Sequence, residues 1–306
     1  MGAQSSSLPL LVVVFPLVGS GVLASCARRG EALRSAAANL ISLITLLLSV
    51  FQFAAVQKGR VLFYALDWYV GFGLRWKADH FSAVFAVVVA LVWLLATIFS
   101  RQYMEREGEQ TRFGAASLFT LGSTLGVFLA GDLLSLFLFF ELMTFAAYLL
   151  VVHSEEPEAL RAGSVYLFMS VIGGLFLLGA IFFIQHTVGH TEFVPVLDEL
   201  LAAGLSPTLL FGVIILGFGV KAGMLPLHIW LPKAHPVAPA PASALLSALM
   251  IKTGAYGFFR FFTVILSAQP QGPHFYLQQN FGYALIWIGA VTMLGGALMA
   301  LIHSPM

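Results

Sequence analysis

The stretch Leu133-Leu134-Ser135-Leu136-Phe137-Leu138-Phe139-Phe140-Glu141-Leu142-Met143-Thr144-Phe145-Ala146-Ala147-Tyr148-Leu149-Leu150 decides the fold class. Its one charge is Glu141. As a helix it would be about 27 Å long, close to the roughly 30 Å of bilayer hydrocarbon. Glu141 then lies about 12 Å from the start of the span, near mid-membrane. A charge there costs about 2.5–3.5 kcal/mol even on a lenient insertion scale, so it is a functional hypothesis by default. The competing reading is a protonated carboxyl hydrogen-bonded to a neighbouring helix.

The rest of the chain agrees with a membrane setting. Of its 306 residues, 59% are hydrophobic and 9% charged, and the mean hydropathy is +0.94. A soluble domain has about 45–50% apolar and about 25% charged residues. These figures exclude a disordered chain, a secreted disulfide scaffold and an ordinary cytosolic enzyme. They predict an all-α polytopic membrane protein. The net charge of +1 and the lack of a basic tract argue against nucleic acid as a partner. Cys26, the single cysteine, forms no internal disulfide and supports no metal site. Leu23-Ala24-Ser25-Cys26 has the look of a lipoprotein cleavage site, but no Lys or Arg precedes the apolar run. Met1-Gly2 with Ser6 fits a myristoylation pattern that occurs by chance in such chains.

Nine apolar spans are expected: 8–27, 36–56, 80–100, 113–131, 133–152, 163–185, 206–223 continuing to 232, 241–265 and 282–303. The fourth and fifth part only near Gly131-Asp132, so either the turn is tight, with Asp132 as a cap, or the count is off by one. With the N-terminus outside, eight cations face inward: Arg28, Arg29, Arg34, Arg101, Arg106, Arg112, Arg161 and Lys233. Four face outward: Lys58, Arg60, Arg75 and Lys77. That asymmetry favours the N-terminus outside. The connection 186–205 holds Glu192, Asp198 and Glu199 without Lys or Arg, which suits an outer loop. Residues 57–79 form a hairpin or an interfacial segment, with Trp68 and Trp76 at headgroup level. The expected organisation is helices 1–3 in 1–110, a five-helix unit in 111–265, and a loop with a ninth helix in 266–306.

Two lysines also fall within spans. Lys221 ends the run from Phe211 and precedes Pro226 and Pro232, each of which removes a backbone donor and breaks or loosens the helix. Broken helices survive at membrane depth where they line a protein-buried or watered cavity. A lysine at such a break suits ion handling; the alternative is snorkelling. Lys252 stands 11 residues after Pro241, near the middle of its span, where snorkelling is awkward. His228 and His235 flank the break without further metal ligands, so pore lining or packing suits them better. His303 closes the last span, as a proton-path or an interfacial residue. Glu141, Lys221 and Lys252 around a broken helix resemble a relay for protons or cations more than a solute pocket.

Three motifs, in order, carry a family resemblance. Phe139-Phe140-Glu141-Leu142-Met143 looks like the acidic-helix motif of the antiporter-like subunits of respiratory complex I, Mrp cation/proton antiporters and membrane-bound hydrogenases. Val220-Lys221-Ala222-Gly223-Met224-Leu225-Pro226-Leu227-His228-Ile229-Trp230-Leu231-Pro232-Lys233-Ala234-His235-Pro236 is similar to their broken-helix signature. Ser243-Ala244-Leu245-Leu246-Ser247-Ala248-Leu249-Met250-Ile251-Lys252-Thr253-Gly254-Ala255-Tyr256-Gly257 is similar to the helix after it. The stretch from Lys233 to Pro239 is closest to the formate hydrogenlyase and membrane-bound nickel–iron hydrogenase type, because complex I and Mrp versions usually have an acid in place of Lys233.

The resemblance implies a proton- or sodium-translocating subunit of a redox-driven complex in a prokaryotic inner membrane, holding no redox cofactor itself. It implies pairing of Glu141 with Lys221 and onward transfer through Lys252. His228, His235, His303 and Lys233 are further relay or gating candidates. Family members carry two inverted repeats. This chain stops about where the first helix of the second would finish. Either another chain supplies the missing repeat, the protein is a natural half-unit, or the sequence is truncated. Expected partners are other membrane subunits of a hydrogenase or complex I-like assembly, and lipid. An Mrp-type antiporter subunit and a structural half-subunit without pumping are the alternatives.

Overall fold

A computed structural model describes residues 3–25, 30–67, 73–204, 206–268 and 274–303. Cys26, Arg28, Arg29 and Trp68 lie outside the described residues. The helices are α1 (Leu8–Ser25), α2 (Glu31–Gln57), α3 (His80–Glu107), α4 (Gln110–Phe128), α5 (Leu133–Val151) and α6 (Pro157–Val188). There follow α7 (Leu197–Ala202), α8 (Pro207–Ala222), α9 (Leu231–Val237), α10 (Ala240–Leu245), α11 (Ile251–Arg260) and α12 (Phe275–His303). A 3-10 turn, Leu227–Trp230, separates α8 from α9. One π turn, Leu246–Met250, joins α10 to α11 and a second, Phe261–Ile265, extends α11, making one composite helix, Ala240–Ile265.

Among the described residues, eight helical stretches are long and apolar enough to cross a membrane. Helix α4, which coincides with the fourth expected span, is not among them. It has 19 residues, long enough to cross, but it carries Ser117, Thr120, Ser123 and Thr124. Those four are buried, because α1, α3 and α5 surround α4. A helix shielded from lipid on all sides need not be apolar. Its hydroxyls satisfy themselves locally: Thr120 donates to the Ala116 carbonyl at 2.7 Å, Thr124 to Thr120 at 2.7 Å.

Residues 57–79 contain a hairpin. Strand β2 (Val61–Asp67) pairs antiparallel with β3 (Gly73–Ala78), from Leu62 opposite Ala78 to Asp67 opposite Gly73, and parallel with the short β1 (Ala3–Ser5). Trp76 corrects an expectation. It is 2% exposed and packs against Tyr64 and Phe139, so it is a core residue, not a headgroup anchor. The physical reason is the strand's alternation, which turns Trp76 inward beneath the sheet.

The hairpin also holds the turn between α4 and α5. Lys77 donates its N–H to the Leu129 carbonyl at 2.8 Å, and Gly131 donates to the Arg75 carbonyl at 2.7 Å. A side chain at 131 would meet the Arg75 backbone at 3.0 Å, so glycine permits the close approach. Asp132 caps α5 by accepting from the Ser135 N–H at 2.7 Å. Burial pushes the Asp132 carboxyl above its usual range.

Candidate functional site

The site is built where α8 stops. Gly223 takes the left-handed conformation (φ +67°) that glycine adopts without strain and closes the helix end. Ending a helix inside a membrane frees carbonyls that must find donors. Met224 donates to the Gly219 carbonyl at 3.0 Å, and the Trp230 indole N–H donates to the Val220 carbonyl at 2.7 Å. On the far side of the break, the Leu225 N–H donates to Thr292 Oγ1 of α12 at 3.1 Å. The chain then turns at Pro226. Pro232 has a different role: it sits in the first turn of α9, where a missing N–H costs nothing.

Lys221 occupies the last turn of α8 and is 2% exposed. Its ammonium donates to Thr144 Oγ1 of α5 at 2.8 Å and to the Tyr166 hydroxyl of α6 at 3.0 Å. It also stands 4.8 Å from the Tyr166 ring centroid and 5.5 Å from that of Phe140, within cation–π range. Glu141 lies one helical turn from Thr144 on α5. Its Oε1 is buried without a hydrogen-bond partner, and Gly174 of α6 leaves the space the carboxyl fills. Among the described residues, no ion pair within 4.0 Å joins Glu141 to Lys221, although the ammonium reaches Phe140, next to Glu141 in the chain, and Thr144, one turn on. The pair is close and unjoined, with neutral groups around the ammonium.

The other candidates are placed apart. Lys252 is exposed on α11 and its ammonium donates to the Ser247 carbonyl at 2.6 Å. Gly254 and Gly257 of the same helix press against α8 instead. His228 has a buried Nδ1 without a partner, and His235 Nδ1 meets Ser243 Oγ at 2.8 Å. Lys233 is exposed near Glu158 and Arg161. The backbone of α12 ends at His303, whose side chain lies outside the described part of the structure.

Sequence reasoning missed a second buried charge. Arg260 is 8% exposed and grips Asp79, at the start of α3, through two 2.7 Å hydrogen bonds. Its Nε donates to the Tyr256 hydroxyl at 2.8 Å, which donates to the Phe128 carbonyl at 2.7 Å. Burial alone would raise the Asp79 pKa; the hydrogen bonds and charge of Arg260 outweigh it and hold the carboxyl at about 2. The signal was present, since Arg260 lies in an apolar span as Lys252 does. Thr144, Tyr166 and Gly174 were missed too. Only Thr144 was within reach of a spacing argument, three residues from Glu141.

Known proteins are similar to this chain in sequence and fold. The family described as "NADH:quinone oxidoreductase/Mrp antiporter, TM" matches residues 130–306, and "NADH-Ubiquinone oxidoreductase (complex I), chain 5 N-terminus" matches residues 69–114. Hydrogenase-4 component B of Escherichia coli is 32% identical over 237 residues, covering 74% of this chain and 33% of that protein. A Na(+)/H(+) antiporter subunit of Alkalihalophilus pseudofirmus is 29% identical over 300 residues, covering 96% and 59%. A chain of the archaeal membrane-bound sulfane sulfur reductase superposes with a TM-score of 0.76 at 26% identity, covering 86% of this chain and 55% of that one. The chain thus spans between 33% and 59% of the length of these relatives.

Proposed function

Because the chain belongs to the NADH:quinone oxidoreductase/Mrp antiporter family of membrane subunits, we propose that it moves protons, or sodium ions, as an antiporter-like subunit of a redox-driven membrane complex. One observation carries this reading: a fully buried lysine ammonium held by neutral groups, beside a buried carboxyl oxygen with no partner. Neither group repays its burial as structure alone. An ion pair favours the charged lysine, and parting it from the carboxylate disfavours that charge. A conformational change that alters the Glu141–Lys221 separation therefore loads or releases a proton. Lys252, on the outward face of α11, is the next carrier. His228, His235 and Lys233, around the helix break, are the further relay or gating groups. The N-terminus faces outside, in a prokaryotic inner membrane.

Similarity to a Na(+)/H(+) antiporter subunit over nearly the whole chain favours a second reading, in which ion gradients alone power cation/proton exchange. Inverted membrane vesicles from cells carrying the native complex separate the two. The redox reading expects acidification of the lumen when an electron donor is added, or sodium uptake driven by the same donor where sodium is the ion. Glu141→Gln should abolish that transport and leave the complex assembled. Sodium-dependent exchange without a donor would transfer support to the antiporter reading. Unchanged transport in Glu141→Gln would remove both.

A further inference from the structure

Resting on that relay reading, we propose that Thr144 and Tyr166 form a neutral berth for the Lys221 ammonium: they are positioning residues that park the charge away from Glu141 between transfers. The bond directions support it. Thr144 donates its own hydroxyl proton to the Phe140 carbonyl at 2.9 Å, so its oxygen is fixed as an acceptor for lysine. Tyr166 is fixed as well. Its ring packs on Trp230, 5.0 Å between centroids, and Trp230 is tied through its indole to the Val220 carbonyl, one residue before Lys221. The broken helix that carries the lysine thus also sets the tyrosine that receives it.

The chemistry of the berth suits a shuttle. Two hydroxyl oxygens and two aromatic faces attract a cation without neutralising it. A carboxylate partner would bind more tightly and release less readily. The titratable side chains on the elements packed around Lys221 are Glu141 and Tyr148 on α5, Glu158, Arg161, Tyr166 and His186 on α6, His228 in the 3-10 turn, and Lys252, Tyr256 and Arg260 on α11. Of these, Tyr166 touches the ammonium, and Glu141 lies one turn from Thr144, which touches it too. Lys252 is bonded to Ser247, and Tyr256 and Arg260 are engaged with Phe128 and Asp79. The berth and the carboxyl are therefore the two competing neighbours of the lysine.

The test measures donor-driven proton translocation against pH in vesicles holding the whole complex. Thr144→Val, Thr144→Ser, Tyr166→Phe and Lys221→Ala are compared at matched assembly. Thr144→Val and Tyr166→Phe keep the shape of the side chain and remove an acceptor. Each should lower the rate about tenfold and move the alkaline limb of the profile down by about one pH unit, the scale of one charge-assisted hydrogen bond. Thr144→Ser restores the acceptor and should restore the profile. If both acceptor-less variants keep the native rate and profile while Lys221→Ala abolishes transport, the berth is wrong and the relay stands. If Lys221→Ala transports normally, the relay reading falls and the berth with it.

Discussion

Gly174 states the case most sharply at the scale of single residues. A methyl group there would stand 2.7 Å from Glu141 Cδ. The obstacle is the end of a flexible side chain, so the fold would accept Gly174→Ala by moving the carboxyl. The expected result is an assembled complex with reduced translocation. Gly254 offers the contrast. A methyl group at 254 meets backbone, 2.6 Å from the Ala222 nitrogen and 2.7 Å from the Phe218 carbonyl oxygen. Gly254→Ala should therefore destabilise the packing of α11 on α8 by about 1–3 kcal/mol, read as a lower melting temperature in detergent. Equal effects of the two substitutions on stability would contradict this division of roles.

Residues of this kind differ in how far sequence reveals them. Glu141 and Lys221 are legible because a charge in an apolar span is costly enough to need a reason. Thr144 and Tyr166 are not, because hydroxyl groups enter membrane helices cheaply and their convergence on one nitrogen depends on how α5, α6 and α8 pack. Trp76 misleads for the opposite reason: an amphipathic ring suits both the interface and a buried strand, and composition does not tell them apart.

At the scale of elements, two devices stabilise the bundle away from Glu141 and Lys221. One is the hairpin that stitches the α4–α5 turn, supported by Arg75 bridging to Glu192. The other is the Asp79–Arg260 pair, which ties the start of α3 to the composite helix just before its second π turn. Asp79 has a depressed pKa in the folded state, about 2 against 3.8. Its contribution is therefore present above about pH 4 and is lost as the pH falls through about 2. That difference amounts to about 2 kcal/mol. Thermal unfolding of the detergent-solubilised protein should show this loss, and Asp79→Asn should abolish it. Asp79→Asn also leaves the buried guanidinium without its carboxylate, at a cost of about 3–5 kcal/mol. An unchanged melting temperature in that variant at neutral pH would show the pair to be dispensable. The α4–α5 turn was readable from Gly131-Asp132, whereas the clamp was not, since its partners are 181 residues apart.

At the scale of the whole molecule, α12 is the least covered of the long apolar helices: none of its most apolar stretch is buried among the described residues. Helix α12 leaves Trp287 70%, Met293 72% and Leu301 75% exposed, and Lys252 is exposed as well. Apolar groups face lipid without difficulty, but a lysine in mid-span does not. In the assembled protein, polypeptide and not lipid is therefore expected over Lys252. A photo-crosslinking amino acid at Ala255, one turn from Lys252, should yield protein adducts. Adducts with lipid alone would leave Lys252 without the partner that onward transfer needs. The fold class was readable from composition, since apolar residues in such excess need lipid as solvent. The fourth expected span, 113–131, is matched by α4, which, enclosed by its neighbours, is free of the demand for apolarity that marks the others.

The central claim is that ion movement passes through the buried lysine at the helix break. The most direct measurement is the number of ions translocated per electron pair by the intact complex in sealed vesicles, with Lys221→Ala set against the native protein at equal assembly and equal electron transfer. The account predicts a lower ratio in the variant while electrons still flow. An unchanged ratio would contradict it and reduce Lys221 to a structural element of the break.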